Sequence, residues 1–170
     1  MKNDWANTIV NALKESGISF VSGVPDSSLS KLINLLEEDN YFTVVPATRE
    51  EEAIGIAAGA YVSGVRSAVY MQSSGVGNSI NALASLCLPA RIPIPMLINL
   101  RGEVGEFNIS QVFMGRSTPR IFDEFNIATY ILDSDYKLQE KVVGALKLCY
   151  ASHQPLALCL TPLLHGGKNA

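Results

Sequence analysis

Ser67-Ala-Val-Tyr-Met-Gln-Ser-Ser-Gly-Val-Gly-Asn-Ser-Ile80 begins as a short β-rich run, Ser67–Met71, and passes through a Gly/Ser/Asn turn. A helical segment, Ile80–Leu88, follows, and then the apolar run Ile94-Pro-Met-Leu-Ile-Asn-Leu100. Strand, helix and strand in that order form a βαβ unit, whose right-handed crossover makes the two strands parallel. Working outward, the same alternation covers the chain. Upstream lie a helix capped by Asp4 and ended by Gly17, a strand at Ile18–Val21, and a helix capped by Asp26, Ser27 or Ser28. A strand at Tyr41–Val45 and a helix over 50–63 complete that half. Downstream lie a loop at Arg101–Gln111, a short helix at Arg120–Phe125 and a strand at Ala128–Ile131. A longer helix at Asp135–Ser152 and a last strand at Pro155–Leu160 follow. Strands separated by helices of this length predict an α/β fold, a doubly wound, mostly parallel six-stranded sheet with helices on both faces.

The 170 residues suit one domain, read as 1–164 with a disordered tail at 165–170. An apolar content of 48% with 17% charged residues excludes a disordered chain. A net charge of −3 with no basic patch offers nucleic acid no electrostatic footprint. The longest apolar runs fall short of the roughly 18 residues of a membrane span, and the N-terminus lacks a signal peptide's apolar stretch. Cys87, Cys149 and Cys159 show neither CxxC nor metal spacing, so they read as buried reduced thiols, in keeping with a cytoplasmic protein. No metal site is expected from this chain's own residues.

In a parallel sheet the ligand edge is the one formed by strand C-termini. Four segments fall there: Gly23–Ser27, Ala47–Glu52, Gln72–Asn78 and Arg101–Asn108. Glu50-Glu-Glu52 opens a helix, where carboxylates complement the dipole. The run that follows, Ala53–Tyr61, is apolar on every face, which asks for a second protein surface over it. Such a cover would desolvate at least one of the glutamates and raise its pKa. Gln72, Ser73, Ser74, Gly75 and Asn78 read either as a tight strand-to-helix turn or as a polar-ligand loop. Neither GxGxxG nor a P-loop is present. Asp26, after Pro25, reads as a helix cap or as a carboxylate aimed into a cleft. Arg101 and Arg116 are candidate anion contacts, and neither His153 nor His165 has a nucleophile or metal partner in sequence.

Gly23-Val-Pro-Asp-Ser27, Glu50 nine residues before Gly59, and Tyr70-Met-Gln-Ser-Ser-Gly-Val-Gly-Asn78 together resemble the pyrimidine-binding domain of thiamine-diphosphate enzymes. Asn81-Ala-Leu83, Arg101–Asn108, Gln111-Val112 and Met114-Gly-Arg116 resemble the phosphonopyruvate and sulfopyruvate decarboxylase branch, most of all its α-subunit type. The resemblance implies thiamine diphosphate as cofactor, with Mg²⁺ bound mainly by a partner. These enzymes hold the diphosphate and metal through a Gly-Asp-Gly motif on a second domain or subunit, and this sequence contains none. The implied partner is therefore a β subunit carrying that domain.

By the same resemblance, Glu50 hydrogen-bonds N1′ of the aminopyrimidine and stabilises its imino tautomer, and Asp26 is a candidate proton relay over the reacting carbon. Pro25, Gln72, Ser73, Ser74, Gly75 and Asn78 line the cofactor, and Gln111, Arg101 and Arg116 face the substrate. Gln72 and Gln111 stand where relatives carry histidine, and an amide cannot shuttle a proton. The implied reaction is decarboxylation of an anionic 2-oxo acid, 3-sulfopyruvate to sulfoacetaldehyde, in coenzyme M biosynthesis or sulfonate metabolism. The alternatives are a phosphonopyruvate decarboxylase or carboligase subunit, and a non-catalytic domain of the same fold.

Overall fold

The computed structural model describes residues 4–167. The elements run α1 (Trp5–Glu15), β1 (Phe20–Gly23), α2 (Ser30–Glu38), β2 (Thr43–Pro46), α3 (Glu50–Val62) and β3 (Ser67–Gln72). There follow α4 (Ser73–Ala82), a π-helical turn (Leu83–Cys87), β4 (Pro95–Asn99) and α5 (Ile109–Glu124). The chain ends with β5 (Ala128–Leu132), α6 (Leu138–Ser152), β6 (Leu156–Leu160) and α7 (Pro162–His165). The six strands lie in the order β2-β1-β3-β4-β6-β5, and every neighbouring pair is parallel.

Side chains alternate across the pleat and so divide the interior into two layers. Ala68 and Tyr70 of β3 join one core with Ile9 and Leu13 of α1, Leu32 and Leu36 of α2, and Val142 and Leu146 of α6. Val69 and Met71 join the other, with Ile54 and Ala57 of α3, Val76 of α4 and Phe122 of α5. Three helices on each face is the doubly wound arrangement the alternation predicts. Cys87, Cys149 and Cys159 are free and buried in these layers, and burial pushes their thiols up to about 11, 12 and 12 respectively.

Four boundaries differ from expectation, each for a physical reason. The expected turn at 72–78 is already helix: α4 starts at Ser73, directly after β3. Gly75 serves close packing there rather than chain reversal. Asp26 does not cap α2; it accepts from the backbone N–H of Ser28 at 2.6 Å in an Asx turn, and Leu29 occupies the cap position. The expected short helix at Arg120–Phe125 is the last part of α5, which begins at Ile109 where the Asn108 side chain accepts from Ser110 N at 3.2 Å. Pro119 inside α5 removes one intrahelical bond and hides the helix from a pattern reading. Finally, His165 and Gly167 belong to no free tail. His165 ends α7, packs 6.0 Å from the Trp5 ring and accepts at Nδ1 from Gly167 N at 3.2 Å. The rest of the expected tail, 168–170, lies outside the described residues.

At Gly115 α5 lies directly on the strand-end loop: a Cβ there would meet the Arg101 carbonyl oxygen at 1.8 Å. Backbone cannot rotate away, so Gly115→Ala should lower stability by about 1–3 kcal/mol, read from the urea midpoint. Gly144→Ala, at an open position of α6, should raise it by about 0.5–1 kcal/mol. An unchanged Gly115→Ala midpoint would contradict this packing.

Candidate active site

The crossover from β1 leads to β2 on one side, while that from β3 leads to β4 on the other. The direction of winding therefore reverses between β1 and β3, and such a reversal opens a crevice at the strand C-termini. The segments after β1, β2, β3 and β4 surround that crevice.

The three glutamates at the start of α3 divide their work. Glu51 accepts from Arg49 Nε at 2.5 Å, and Glu52 accepts from the Thr48 N–H at 2.8 Å and its hydroxyl at 2.7 Å. Both carboxyls are held below the usual range, Glu51 by its own backbone N–H and then Arg49, Glu52 by the Thr48 hydroxyl and then its N–H. Glu50, half-buried, reaches across to α4 instead. Asn78 Nδ2 donates to its Oε2 at 3.3 Å, and its Cγ lies where a Cβ on Gly75 would stand, at 2.2 Å. Gly75 is thus the seat of the Glu50 carboxyl.

Asp26 is 8% exposed and entirely engaged. Its Oδ1 accepts from Ser28 N at 2.6 Å and Asn99 Nδ2 at 3.1 Å, and its Oδ2 accepts from Gln72 Nε2 at 2.6 Å. Ser74 Oγ donates to Gln72 Oε1 at 2.9 Å. Asn99 accepts at Oδ1 from His165 Nε2 at 3.1 Å. Sequence reasoning named Asp26, Gln72 and Ser74 but missed Asn99 and His165. Asn99 ends an apolar strand and is fully buried, so an asparagine in Pro95–Leu100 was the available signal.

Other expected contacts fall elsewhere. Ser73 is buried, and its Oγ accepts from Arg101 N at 3.3 Å, tying α4 to the next loop. Pro25 is exposed at the crevice rim. Arg101, 5% exposed, grips Glu106 through Nε at 2.5 Å and its terminal nitrogen at 2.8 Å. Glu106 also accepts from Gly102 N at 3.3 Å and Asn108 N at 2.9 Å. The Arg101 guanidinium, with these N–H groups, holds the Glu106 carboxyl down to about 2. A substrate anion would have to displace this carboxylate to reach Arg101, so the residue orders its loop. Arg116 is exposed and donates through Nε to Gly102 O at 3.2 Å. Gln111 Oε1 is buried without a hydrogen-bond partner.

Residues 3–102 match the family described as thiamine pyrophosphate enzyme, N-terminal TPP binding domain. This chain belongs to that family. It is 42% identical to the sulfopyruvate decarboxylase subunit alpha of Methanocaldococcus jannaschii, over 91% of this chain and 92% of that one. The corresponding subunit of Methanococcus maripaludis is 34% identical, with 93% and 95% covered. The phosphonopyruvate decarboxylase of Streptomyces viridochromogenes is also 34% identical over 94% of this chain, which spans 37% of that longer protein. Among solved structures, the 2-oxoglutarate:ferredoxin oxidoreductase of Magnetococcus marinus shares the fold at a TM-score of 0.73 and 13% identity, over 95% of this chain and 29% of that one.

The residues present fit the aminopyrimidine end of the family's cofactor. A glycine-backed carboxyl at a helix start, with one oxygen already steadied by Asn78, suits a ring nitrogen and its proton. Gly75→Ala should leave the fold intact, because the clash is with a movable side chain, yet displace Glu50. The check is the Asn78 side-chain amide resonance, which should lose its Glu50 signature while the urea midpoint holds. Glu106 gives a second prediction. Its folded pKa lies below the ordinary 4.5, so its contribution to stability is complete above that pH and is lost as pH falls toward about 2. Glu106→Gln should flatten this acid limb. By stranding a buried guanidinium it should also cost about 3–5 kcal/mol near neutrality in urea unfolding.

Proposed function

We propose that this chain is the pyrimidine-binding α subunit of a two-subunit decarboxylase that converts 3-sulfopyruvate to sulfoacetaldehyde and carbon dioxide. The observation that carries the reading is Glu50, seated on Gly75 and held by Asn78 at the switch-point crevice. Likeness in both sequence and length to the α subunits of sulfopyruvate decarboxylases supports the substrate. Thiamine diphosphate, when bound, supplies the electron sink through which a 2-oxo acid loses carbon dioxide. In the net reaction one C–C bond breaks, carbon dioxide leaves, and a proton from solvent takes its place on carbon.

The chain's own residues orient and move protons. Glu50 would hold the aminopyrimidine of the cofactor through its carboxyl and could give or take a proton at the ring nitrogen. Asp26, fixed by three donors, is the candidate relay near the reacting carbon. The N–H groups at the start of α4 and the second amide hydrogen of Asn78 offer neutral donors to the cofactor. Ser74 lies beside them with its hydroxyl hydrogen given to Gln72, and Gln111 and Arg116 flank the substrate path. Pro25, Gln72 and Gly75 shape the cofactor wall.

A β subunit bearing the Gly-Asp-Gly motif would bind the diphosphate and Mg²⁺. The exposed side of α3 supports such a partner: Ala53, Ile54, Ala57 and Ala58 are buried, whereas Gly55, Gly59 and Val62 stand open. No helix among the described residues is long and apolar enough to cross a membrane. Three unpaired buried thiols favour the reducing cytoplasm. A phosphonopyruvate substrate is the second reading, favoured by the Streptomyces relative.

The test is reconstitution with a Gly-Asp-Gly-bearing partner, thiamine diphosphate and Mg²⁺, measuring carbon dioxide released from 3-sulfopyruvate and from 3-phosphonopyruvate. Sulfopyruvate should be the faster substrate, and the lone chain should be inert. Glu50→Gln should assemble normally but lose about 10²-fold or more in kcat. Full activity in the lone chain, or in Glu50→Gln, would overturn the proposal.

A further inference from the structure

Asp26, Gln72, Asn99 and His165 lie after β1, at the end of β3, at the end of β4 and after β6, which are four adjacent strands. They form one row of hydrogen bonds along the sheet edge, and the direction of each bond is fixed. The N–H of Gly167 donates to His165 Nδ1 at 3.2 Å, so that nitrogen carries no proton. Positive φ at Gly166 and Gly167, 85° and 66°, turns the chain back to make this bond. The ring proton of the neutral imidazole therefore sits on Nε2 and is donated to Asn99 Oδ1 at 3.1 Å. An amide whose oxygen is so engaged must present its nitrogen to Asp26 Oδ1, at 3.1 Å. From the other side Ser74 does the same to Gln72, whose nitrogen meets Asp26 Oδ2.

The geometry points to His165 and Asn99 as positioning residues for Asp26: the imidazole sets the orientation of the Asn99 amide, and the amide fixes the carboxylate at the crevice. This rests on the decarboxylase reading only in what Asp26 then does. Burial holds the His165 imidazole below its usual range, against the pull of Asp26 and with the push of Arg101, which keeps the ring neutral as the row requires. A neutral ring in the Nε2–H form cannot pass a proton through an amide. The role is therefore orientation, and histidine is needed only as a donor at Nε2.

The test uses the reconstituted two-subunit enzyme with this chain labelled with ¹⁵N. Long-range spectra should show the Nε2–H tautomer at neutral pH, and Asp26→Asn should shift the Asn99 side-chain amide. His165→Phe, which keeps a ring but no donor, should lower kcat about tenfold or more with KM little changed. His165→Gln, whose amide nitrogen reaches the Nε2 position, should recover most of that loss. In an Asp26→Asn background His165→Phe should add less than about twofold, because the two act through one carboxylate. The Nδ1–H tautomer, equal losses in Phe and Gln variants, or multiplying losses in the double variant would overturn the inference. Should the wild-type enzyme decarboxylate neither 2-oxo acid, the functional reading fails, and the tautomer and amide shift still judge the row.

Discussion

A carboxylate withdrawn from water is tolerated only where donors meet its oxygens. At Asp26 those donors come from three places: the next turn of its own loop, the end of β3 and the end of β4. No local stretch of chain supplies them. They converge because all six strands run the same way, which puts every strand C-terminus on one edge, and because β1, β3 and β4 are neighbours in the sheet. The site is thus a consequence of strand order, and the buried charge in turn ties those strand ends together.

The glutamate triplet shows how neighbouring identical residues acquire different work. Two of the three satisfy the start of α3 through Arg49 and Thr48. Their engagement leaves Glu50 to cross to α4, where a glycine makes room for it. Gly75 thereby makes room for a side chain while keeping an ordinary helical backbone. Its value is the absent Cβ, not a special φ. The loop after β4 solves a different problem. Its arginine and Glu106 neutralise one another inside the loop, so the charge density that seemed suited to a ligand instead rigidifies the wall beside it.

Several features were legible because they are local. Asp4 and Gly17 mark the ends of α1, and short apolar runs mark all six strands within a few residues; Glu50 stands out from its neighbours only through the family resemblance. Others were not. The helix α5 hides behind Pro119 and exposed Ile109 and Phe113: its apolar side is confined to Met114, Ile121 and Phe122, and its first half docks through Gly115 against Arg101. His165 looked like a residue of a frayed end because nothing nearby in sequence needs it.

By itself the sequence determined the class of fold, because hydrophobic periodicity and turn chemistry act over a few positions; Glu50 and Asp26 came forward as site carboxylates through the family resemblance. Only the tertiary structure decided which polar groups share a hydrogen-bonded row and which arginine is already occupied. Those facts depend on the order β2-β1-β3-β4-β6-β5, in which β6 is inserted beside β4 and carries His165 to Asn99. Strand order is settled by how whole layers pack, and no stretch of chain records it.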